Sequence, residues 1–353
     1  MLRFLDSWKV LVFDVSIAIQ LSTHAAMEWT DRIGRRIKLR DLHILLAVAQ
    51  SGSMARAAER LAISQPVVSK TIADLEHTLG VRLLDRDRRG AEPTVYGRAL
   101  LDRGEAAFDE LRQGVKDIEY LLDPTAGELR IGASDPMAAA LVPAIILRLT
   151  KEYPRITFHV TGGPSILVQH YRALRERTID LIIGRLPRPL TDKDLNVEVL
   201  YDEPLLIAAG AQNPLVKRRR LRLADLIDEP WVLPGADSLV GSVVAELFRA
   251  SGLEFPRKSV FCSSIQMNNT LLADGNYLAI YPGSIIRLSA ERLAIKVLDV
   301  DLPVRASPLG IVTLKGRTVT PVARLFIDCA RAITKSLALG ALPRPRRSRG
   351  AVR

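Results

Sequence analysis

Residues 39–94 read LRDLHILLAVAQSGSMARAAERLAISQPVVSKTIADLEHTLGVRLLDRDRRGAEPT, and this stretch decides the fold. Its first half holds three short helical patterns, punctuated at Gly52-Ser53 and Ile63-Ser64. In the third, Val68, Ile72, Leu75 and Leu79 recur at i, i+4, i+7 and i+11, which lays one apolar face along a helix. The opposite face carries Gln65, Ser69, Lys70 and Ala73, groups small or polar enough to lie against base edges in a major groove. Ser64 stands where an N-cap belongs, Pro66 sits in the first turn where its missing N–H costs little, and Gly80 marks a left-handed end. The second pattern, Ser53 to Ala62, brings Ala57, Ala58 and Leu61 to one side, and small residues there let two helices cross closely at a tight turn. After Gly80, Val81–Leu84 and Ala91–Thr94 read as two short strands around the charged turn Asp85 to Gly90, with Arg86, Arg88 and Arg89 at a basic tip. Such a tip reaches phosphates while a helix enters the groove.

The resulting set is specific in type and spacing. It comprises Ala57-Ala58, Leu61, Ser64-Gln65-Pro66, Val68-Ser69-Lys70, Ile72, Leu75-Glu76, Leu79-Gly80, Leu83-Leu84, Arg86 and Pro93-Thr94 followed by Gly97. On these residues the chain resembles the LysR-type transcriptional regulators. The resemblance runs from about Leu39 to Leu337 and implies an α/β fold in three parts. These are an N-terminal winged helix-turn-helix, a long linker helix, and a C-terminal two-lobed α/β effector domain resembling periplasmic binding proteins. It also implies double-stranded DNA, a small-molecule effector and further copies of the chain as partners, in a homodimer or homotetramer, with RNA polymerase a further candidate. The residues expected at DNA are Ser53, Arg56, Ser64, Gln65, Pro66, Ser69, Lys70, Arg86, Arg88 and Arg89.

Working outward, the expected divisions are an extension at 1–36, the DNA-binding domain at 37–96, the linker at 97–123, the effector domain at 127–340 and a basic tail at 341–353. Lobe one takes about 127–195 and 306–338, and lobe two about 196–305. Within the extension, Val10 to Leu21 is apolar but interrupted by Asp14, too short to span a bilayer and without a small-residue cleavage site. Met27 stands just before the recognisable module, so 1–26 reads as an upstream reading error or an extra arm. The tail holds five Arg and no acid in its last ten residues, the composition of a disordered end.

The linker pattern places Leu101, Phe108, Leu111, Val115, Ile118 and Leu122 on a heptad-like seam, with Gly104 in the remaining position and Asp109, Glu110, Arg112, Lys116, Asp117 and Glu119 mostly outside it. Such a stripe needs a partner. A domain of the same chain is one option; a second copy fits better, because a dimer presents two reading heads to paired half-sites. Asp123 to Gly127 then reads as a hinge.

Beyond the hinge, strands and helices alternate. Leu129-x-Ile131-x-Ala133, helix 136–153, Ile156-x-Phe158-x-Val160, helix 165–177 and strand 179–184 predict a mostly parallel sheet. A second run follows. Strands are expected at 197–200, 205–209, 231–233, 260–262 and 277–281, and helices at 240–250, 265–274 and 284–290. The chain returns through strand 308–314 to a closing helix at 319–337, and the loop 217–222 reads as a solvated basic surface. Two lobes joined by crossing strands leave a cleft for a small ligand. Ser134 and Ser165 open helices after strands, where hydroxyl and backbone N–H groups suit an oxygen-rich or anionic group, and the resemblance implies that both touch the effector. Each is equally readable as a simple N-cap. Arg185, at the interlobe crossing, suits a ligand carboxylate or a surface or interlobe salt bridge, and Ser264 is the second-lobe candidate.

A net charge of +11 and a pI of about 9.9 favour a polyanionic partner, and 13 Lys/Arg against 8 Asp/Glu in residues 31–98 put a surplus in the reading head. Cys262 and Cys329 lie far apart, fit no metal spacing, and read as reduced thiols in a cytoplasmic protein. The five histidines form no metal pattern, so neither cofactor nor metal is expected, and no membrane partner either. Nothing in the chain matches a nucleophile elbow, a phosphate-cradling loop or a paired acid–base set, which leaves no positive case for an enzyme. A solute-binding protein carrying an unrelated helical bundle is the alternative, and it would need an export signal.

Overall fold

The computed structural model describes residues 36–339 except 88–89, 164–165, 188–191, 236–237, 291, 301 and 303–305. The expected extension up to residue 35, the basic tail, Arg88, Arg89 and Ser165 therefore lie outside the described residues. The chain divides into two compact units between Leu111 and Arg112.

The first unit is built on α1 (Leu39–Ser51), α2 (Met54–Leu61) and α3 (Gln65–Leu79), then the hairpin β1 (Leu84–Asp87) and β2 (Gly90–Pro93). α1 ends at Gly52 with φ 63°, and α3 ends at Gly80 with φ 70°. α2 ends at Ala62 with φ 53°, a left-handed conformation that a residue with a Cβ rarely adopts. Ala57, Val68 and Ile72 are fully buried, as the helical period requires, against Leu45, Val48, Leu83 and Leu84. Each such branched or long side chain contributes about 1.5–3 kcal/mol on leaving water. Leu79, expected on the same face, is only partly buried because it ends the helix.

One continuous helix, α4 (Val95–Leu122), follows. Leu101 and Phe108 pack on the core of the first unit, and a Cβ on Gly104 would meet Leu42 and Leu46 at 4.0 Å. The seam is thus divided: its N-terminal half is used within the chain, while Leu111, Val115, Ile118 and Leu122 are 52–82% exposed. Asp109, expected on the outer side, is buried together with Gln113 four residues on, a second sheltered face that the heptad spacing does not reveal.

The second unit holds two five-stranded sheets. The first has the order β4-β3-β5-β12-β6, from β3 (Ala126–Ser134), β4 (Arg155–Gly163), β5 (Leu181–Arg185), β6 (Leu195–Glu203) and β12 (Ser307–Leu314). The second has the order β11-β7-β10-β8-β9, from β7 (Leu205–Gly210), β8 (Trp231–Leu233), β9 (Ser259–Phe261), β10 (Leu278–Pro282) and β11 (Ile295–Val297). Each sheet is mixed. β4-β3-β5 is parallel, but β12 returns antiparallel between β5 and β6; in the second sheet β7 is antiparallel to both its neighbours. The expected mostly parallel sheet holds only for the strand–helix–strand runs, where a helix supplies the crossover.

The helices of this unit are α5 (Asp135–Ala139), α6 (Leu141–Glu152), α7 (Ile166–Arg175), α8 (Leu239–Ala250), α9 (Ile265–Ala273), α10 (Gly283–Ser289) and α11 (Pro321–Leu339). The helix expected over 136–153 is broken at Ala140, whose φ of −134° fits no helix. Lobe one closes over Leu129, Ile131, Ile145, Ile183 and Phe326, and lobe two over Trp231, Leu247, Phe248 and Leu278. The lobes are joined at Pro204, between β6 and β7. They meet where Ala140 packs in the cluster of Tyr281, Ile285 and Ile286. No helix among the described residues is long and apolar enough to cross a membrane.

Candidate functional site

The first candidate surface is the outer side of α3. Gln65, Pro66, Lys70 and Ala73 are exposed, and so is Val67, which the sequence reading passed over. The Val67-Val68 pair straddles the boundary: Val68 is 0% exposed and Val67 39%, which presents an apolar group suited to a thymine methyl. Pro66 occupies the first turn as expected. Ser64 is the N-cap residue but its side chain makes no capping bond, so its exposed hydroxyl is not consumed by the helix. Ser53 likewise precedes α2 without a side-chain cap, and Arg56 is exposed on the same helix. Ser69 is less available than expected. It is half-buried and its hydroxyl donates to Met54 Sδ at 3.3 Å, because α2 crosses α3 there.

Arg86 requires a correction. It lies within β1 rather than at the tip, and its guanidinium is 3.0 Å from Glu76 Oε2. It is thereby committed to a protein carboxylate instead of standing free for a phosphate. Glu76 Oε1 also accepts the backbone N–H groups of Leu83 at 2.9 Å and Leu84 at 3.2 Å. Thr94 ties the return of the hairpin to the same segment: its N–H donates to Leu83 O at 2.9 Å and its hydroxyl to Arg82 O at 2.7 Å. Ala91 N–H reaches Gly52 O at 3.0 Å, and any side chain at Gly90 would stand 2.4 Å from that oxygen. The hairpin is held to α3 and to the α1–α2 turn by polar bonds at both strands.

The second candidate surface is the lobe crossing. Ser134, Gly163 and Arg185 end three adjacent parallel strands. Ser134 precedes α5 without a side-chain capping bond, and its Oγ lies 3.6 Å from where a Cβ on Gly184 would stand. The neighbouring Asp135 carboxylate lies against Gly162, and burial pushes its pKa up. An acid at this edge disfavours an anionic group there and leaves the oxygen-rich, hydrogen-bonding alternative.

Arg185 is 8% exposed and faces the crossing, but its Nη2 is 3.5 Å from Glu203 Oε2, so one edge of the guanidinium is already paired. Strand register explains this: Arg185 and Tyr201 both stand opposite Leu309, so β12 holds the ends of β5 and β6 on either side of it. Burial lowers the Arg185 pKa, and Glu203 opposes that effect. Glu203, 1% exposed, receives the Tyr201 hydroxyl at 2.9 Å and the Ser284 N–H of α10 at 3.1 Å on Oε1. Burial, then the Glu203 charge, pushes the Tyr201 pKa far up. Arg185 Nη1, Arg287 Nε and Asn268 Oδ1 are buried without hydrogen-bond partners among the described residues. Glu203, Tyr201, Asn268 and Arg287 were missed because nothing local marks them.

Ser264 also serves its helix. Its hydroxyl accepts Met267 N–H at 3.4 Å as the N-cap of α9, which uses one lone pair and leaves the O–H to donate elsewhere. A separate cavity of about 630 Å³ opens on lobe one between β6 and α11, and its Arg331 is already paired with Glu198 and Asp328. Among the described residues, no group of three or more His, Cys, Asp or Glu could hold a metal ion.

Comparison with known proteins gives two family matches. Residues 39–98 match the model for bacterial regulatory helix-turn-helix protein, lysR family, and residues 123–334 match LysR substrate binding domain. The regulator GbpR of Azospirillum brasilense is 29% identical over 89% of this chain and 91% of its own length. The regulator TfdS of Cupriavidus pinatubonensis is 31% identical over 84% and 98%, and the SDS degradation transcriptional activation protein of a Pseudomonas species 31% over 81% and 92%. Among solved structures, a full-length OxyR variant from Pseudomonas aeruginosa superposes with a TM-score of 0.59 at 22% identity, covering 84% of this chain and 95% of that one, a likeness of fold.

Proposed function

Since the chain belongs to the LysR family of bacterial regulators, a family of transcriptional regulators rather than enzymes, we propose which of its surfaces carry the DNA-binding and effector-binding functions. The chain is a DNA-binding transcriptional regulator with an effector-binding domain. The exposed side of α3 enters the major groove: Gln65 and Val67 meet base edges, while Lys70, Arg56, Ser53 and Ser64 meet phosphates. Ser69 contributes through its lone pairs, its proton being directed at Met54. Arg88 and Arg89 supply the wing's phosphate contacts. The observation that carries this reading is the division of α3 into a buried face of Val68, Ile72 and Leu75 and an exposed face that offers polar and small groups. Because the DNA it binds is in the cytoplasm, the chain works there.

The effector sits at the lobe crossing, beside Ser134, Arg185 and the buried polar groups of Asn268 and Arg287. Ligand shifts the population of lobe arrangements, and the linker helix passes the shift to paired reading heads. The exposed half of α4 pairs two copies, and RNA polymerase is the partner through which occupancy becomes transcription.

The test is binding to the DNA upstream of the protein's own gene, in competition with scrambled duplex, over a salt series. Gln65→Ala is expected to remove about 1–3 kcal/mol of discrimination at one base pair. Lys70→Ala is expected to weaken binding to all duplexes alike and lower the salt slope by about one. Equal loss of preference from both changes would sink the assignment.

A further inference from the structure

We propose that the basic loop 217–222 of lobe two binds the phosphate backbone of double-stranded DNA without regard to base sequence, a DNA contact additional to α3. This rests on the chain being a DNA-binding regulator, but not on which side chains of α3 read bases.

Lys217, Arg218, Arg219, Arg220 and Arg222 are all exposed. Two acids touch this segment. Asp225 pairs with Arg222 at 2.8 Å, and Asp299 Oδ2 accepts the Arg220 backbone N–H at 3.2 Å. Lys217, Arg218, Arg219 and Arg220 have no ion-pair partner among the described residues. The surplus is local. Residues 205–300 hold 11 Lys/Arg against 9 Asp/Glu, and five of those cations fall in this loop, so the rest of that stretch is net acidic. A cationic excess confined to one loop focuses its attraction on a polyanion.

The loop is also held in place. On its N-terminal side the 3-10 turn Pro214–Lys217 is capped by Asn213, whose Oδ1 accepts Leu215 N–H at 2.9 Å and whose Nδ2 donates to Gly275 O at 2.7 Å. On the other side Leu221 is buried, donates its N–H to Asp299 O at 2.9 Å and bridges to Val300. Arg220, between them, has φ 54°, a left-handed backbone that favours glycine, so the row of cations is kept at a conformational cost. Cations on a fixed loop lose less freedom on binding than cations on a mobile one.

The chemistry selects DNA over an acidic protein. Protein interfaces centre on aromatic and aliphatic anchors. The single apolar residue of the loop, Leu221, already lies in the core of lobe two. Four of the five cations are arginines, whose planar fork takes two phosphate oxygens at once. Charge alone suffices for a phosphate backbone, through release of its condensed counterions.

The probe is a random-sequence duplex of about 80 base pairs, since a phosphate contact needs no operator, and the full chain is used throughout. R218Q/R219Q is expected to lower the slope of log affinity against log salt by about 1.8, which makes the loss of affinity between about 50 and 200 mM salt about twelvefold smaller. R257Q/K258Q removes the same charge from exposed positions before β9 and is expected to keep the wild-type slope within about a third of a unit. In the wild type, phenylglyoxal modification read by peptide mass mapping is expected to show Arg218 and Arg219 protected by the duplex and Arg257 unprotected.

Equal falls in slope for the two double variants would reduce the effect to net charge and overturn the inference. Arg218 and Arg219 left unprotected in the bound complex would overturn it as well, and this measurement needs no variant to fold. Protection by RNA polymerase but not by duplex would assign the loop to an acidic protein instead. Absence of any salt-dependent binding by the wild type would strike the DNA reading itself, a distinguishable outcome.

Discussion

Replacing Ile118 by Ala should weaken self-association of the full chain about a hundredfold. Ile118 lies on the seam half of α4 that the chain itself leaves open, and it is 60% exposed. The change removes three carbons, each contributing about 0.8 kcal/mol when fully buried. Scaled by the exposed fraction a partner can cover, that is about 1.4 kcal/mol per copy. A two-fold pair carries the change twice, so dimerisation loses about 3 kcal/mol, or about two decades in Kd. Alanine favours the helix more than isoleucine does, so the loss does not arise from melting α4. Sedimentation equilibrium over a concentration series reads the effect, with Arg103→Ala as a control on the outer side of the same helix. An unchanged dissociation constant for Ile118→Ala, within about threefold, would refute the assignment of this stripe to a second copy.

Gly97→Ala should destabilise the first unit by about 1–3 kcal/mol in urea unfolding, as overpacking does, because its Cβ would stand 2.0 Å from Leu83 O and neither backbone can yield cheaply. Glu203→Ala should destabilise the effector domain by about 3–5 kcal/mol, the cost of leaving a buried guanidinium alone, whereas Tyr201→Phe, which removes one of three bonds to that carboxylate, should cost about 1 kcal/mol; equal losses in thermal unfolding would contradict this division. Burial holds the His170 imidazole below its usual value, outweighing the opposing hydrogen bond with the Thr161 backbone, so the folded state favours the neutral ring. Its stabilising contribution is therefore complete above the unfolded value of about 6.5 and is lost as pH falls below it; His170→Phe should flatten unfolding free energy between about pH 7 and 5, and an unchanged slope would count against the assignment.

The reading head was legible because its determinants are local. A 3.6-residue period, a proline in the first turn and Gly80 past the end all act within one helix, and Val68, Ile72 and Leu75 are buried accordingly. The wing was legible as a hairpin, but Arg86 was misplaced because its partner Glu76 is ten residues back on another element, and charge alone does not disclose a pairing. In the effector domain the strand–helix runs were legible. The antiparallel return of β12 was not, since its neighbours β5 and β6 lie more than a hundred residues earlier. β11 was missed because, unlike the equally short β8 with Pro230 and Pro234 at its ends, it has no turn residue beside it. The break at Ala140 was missed although Pro143, which falls in the first turn of the helix that follows, marks a new helix start.

Sequence position left Arg185 open to a ligand carboxylate or a salt bridge, and the structure gives it a salt bridge on one edge. At 3.5 Å its contact with Glu203 is longer than the about 2.7–2.9 Å usual for a charge-assisted bond, and it engages one nitrogen. Glu203 does not depend on that contact, because Tyr201 and the Ser284 N–H already occupy its other oxygen from β6 and from lobe two. A guanidinium held loosely on one edge and unpartnered on Nη1 is a group that a ligand carboxylate can take without stranding the glutamate. Arg185 and Glu203 stand on β5 and β6 of the same lobe-one sheet, so their contact lies within lobe one, and the tie to lobe two is the Ser284 N–H on Glu203.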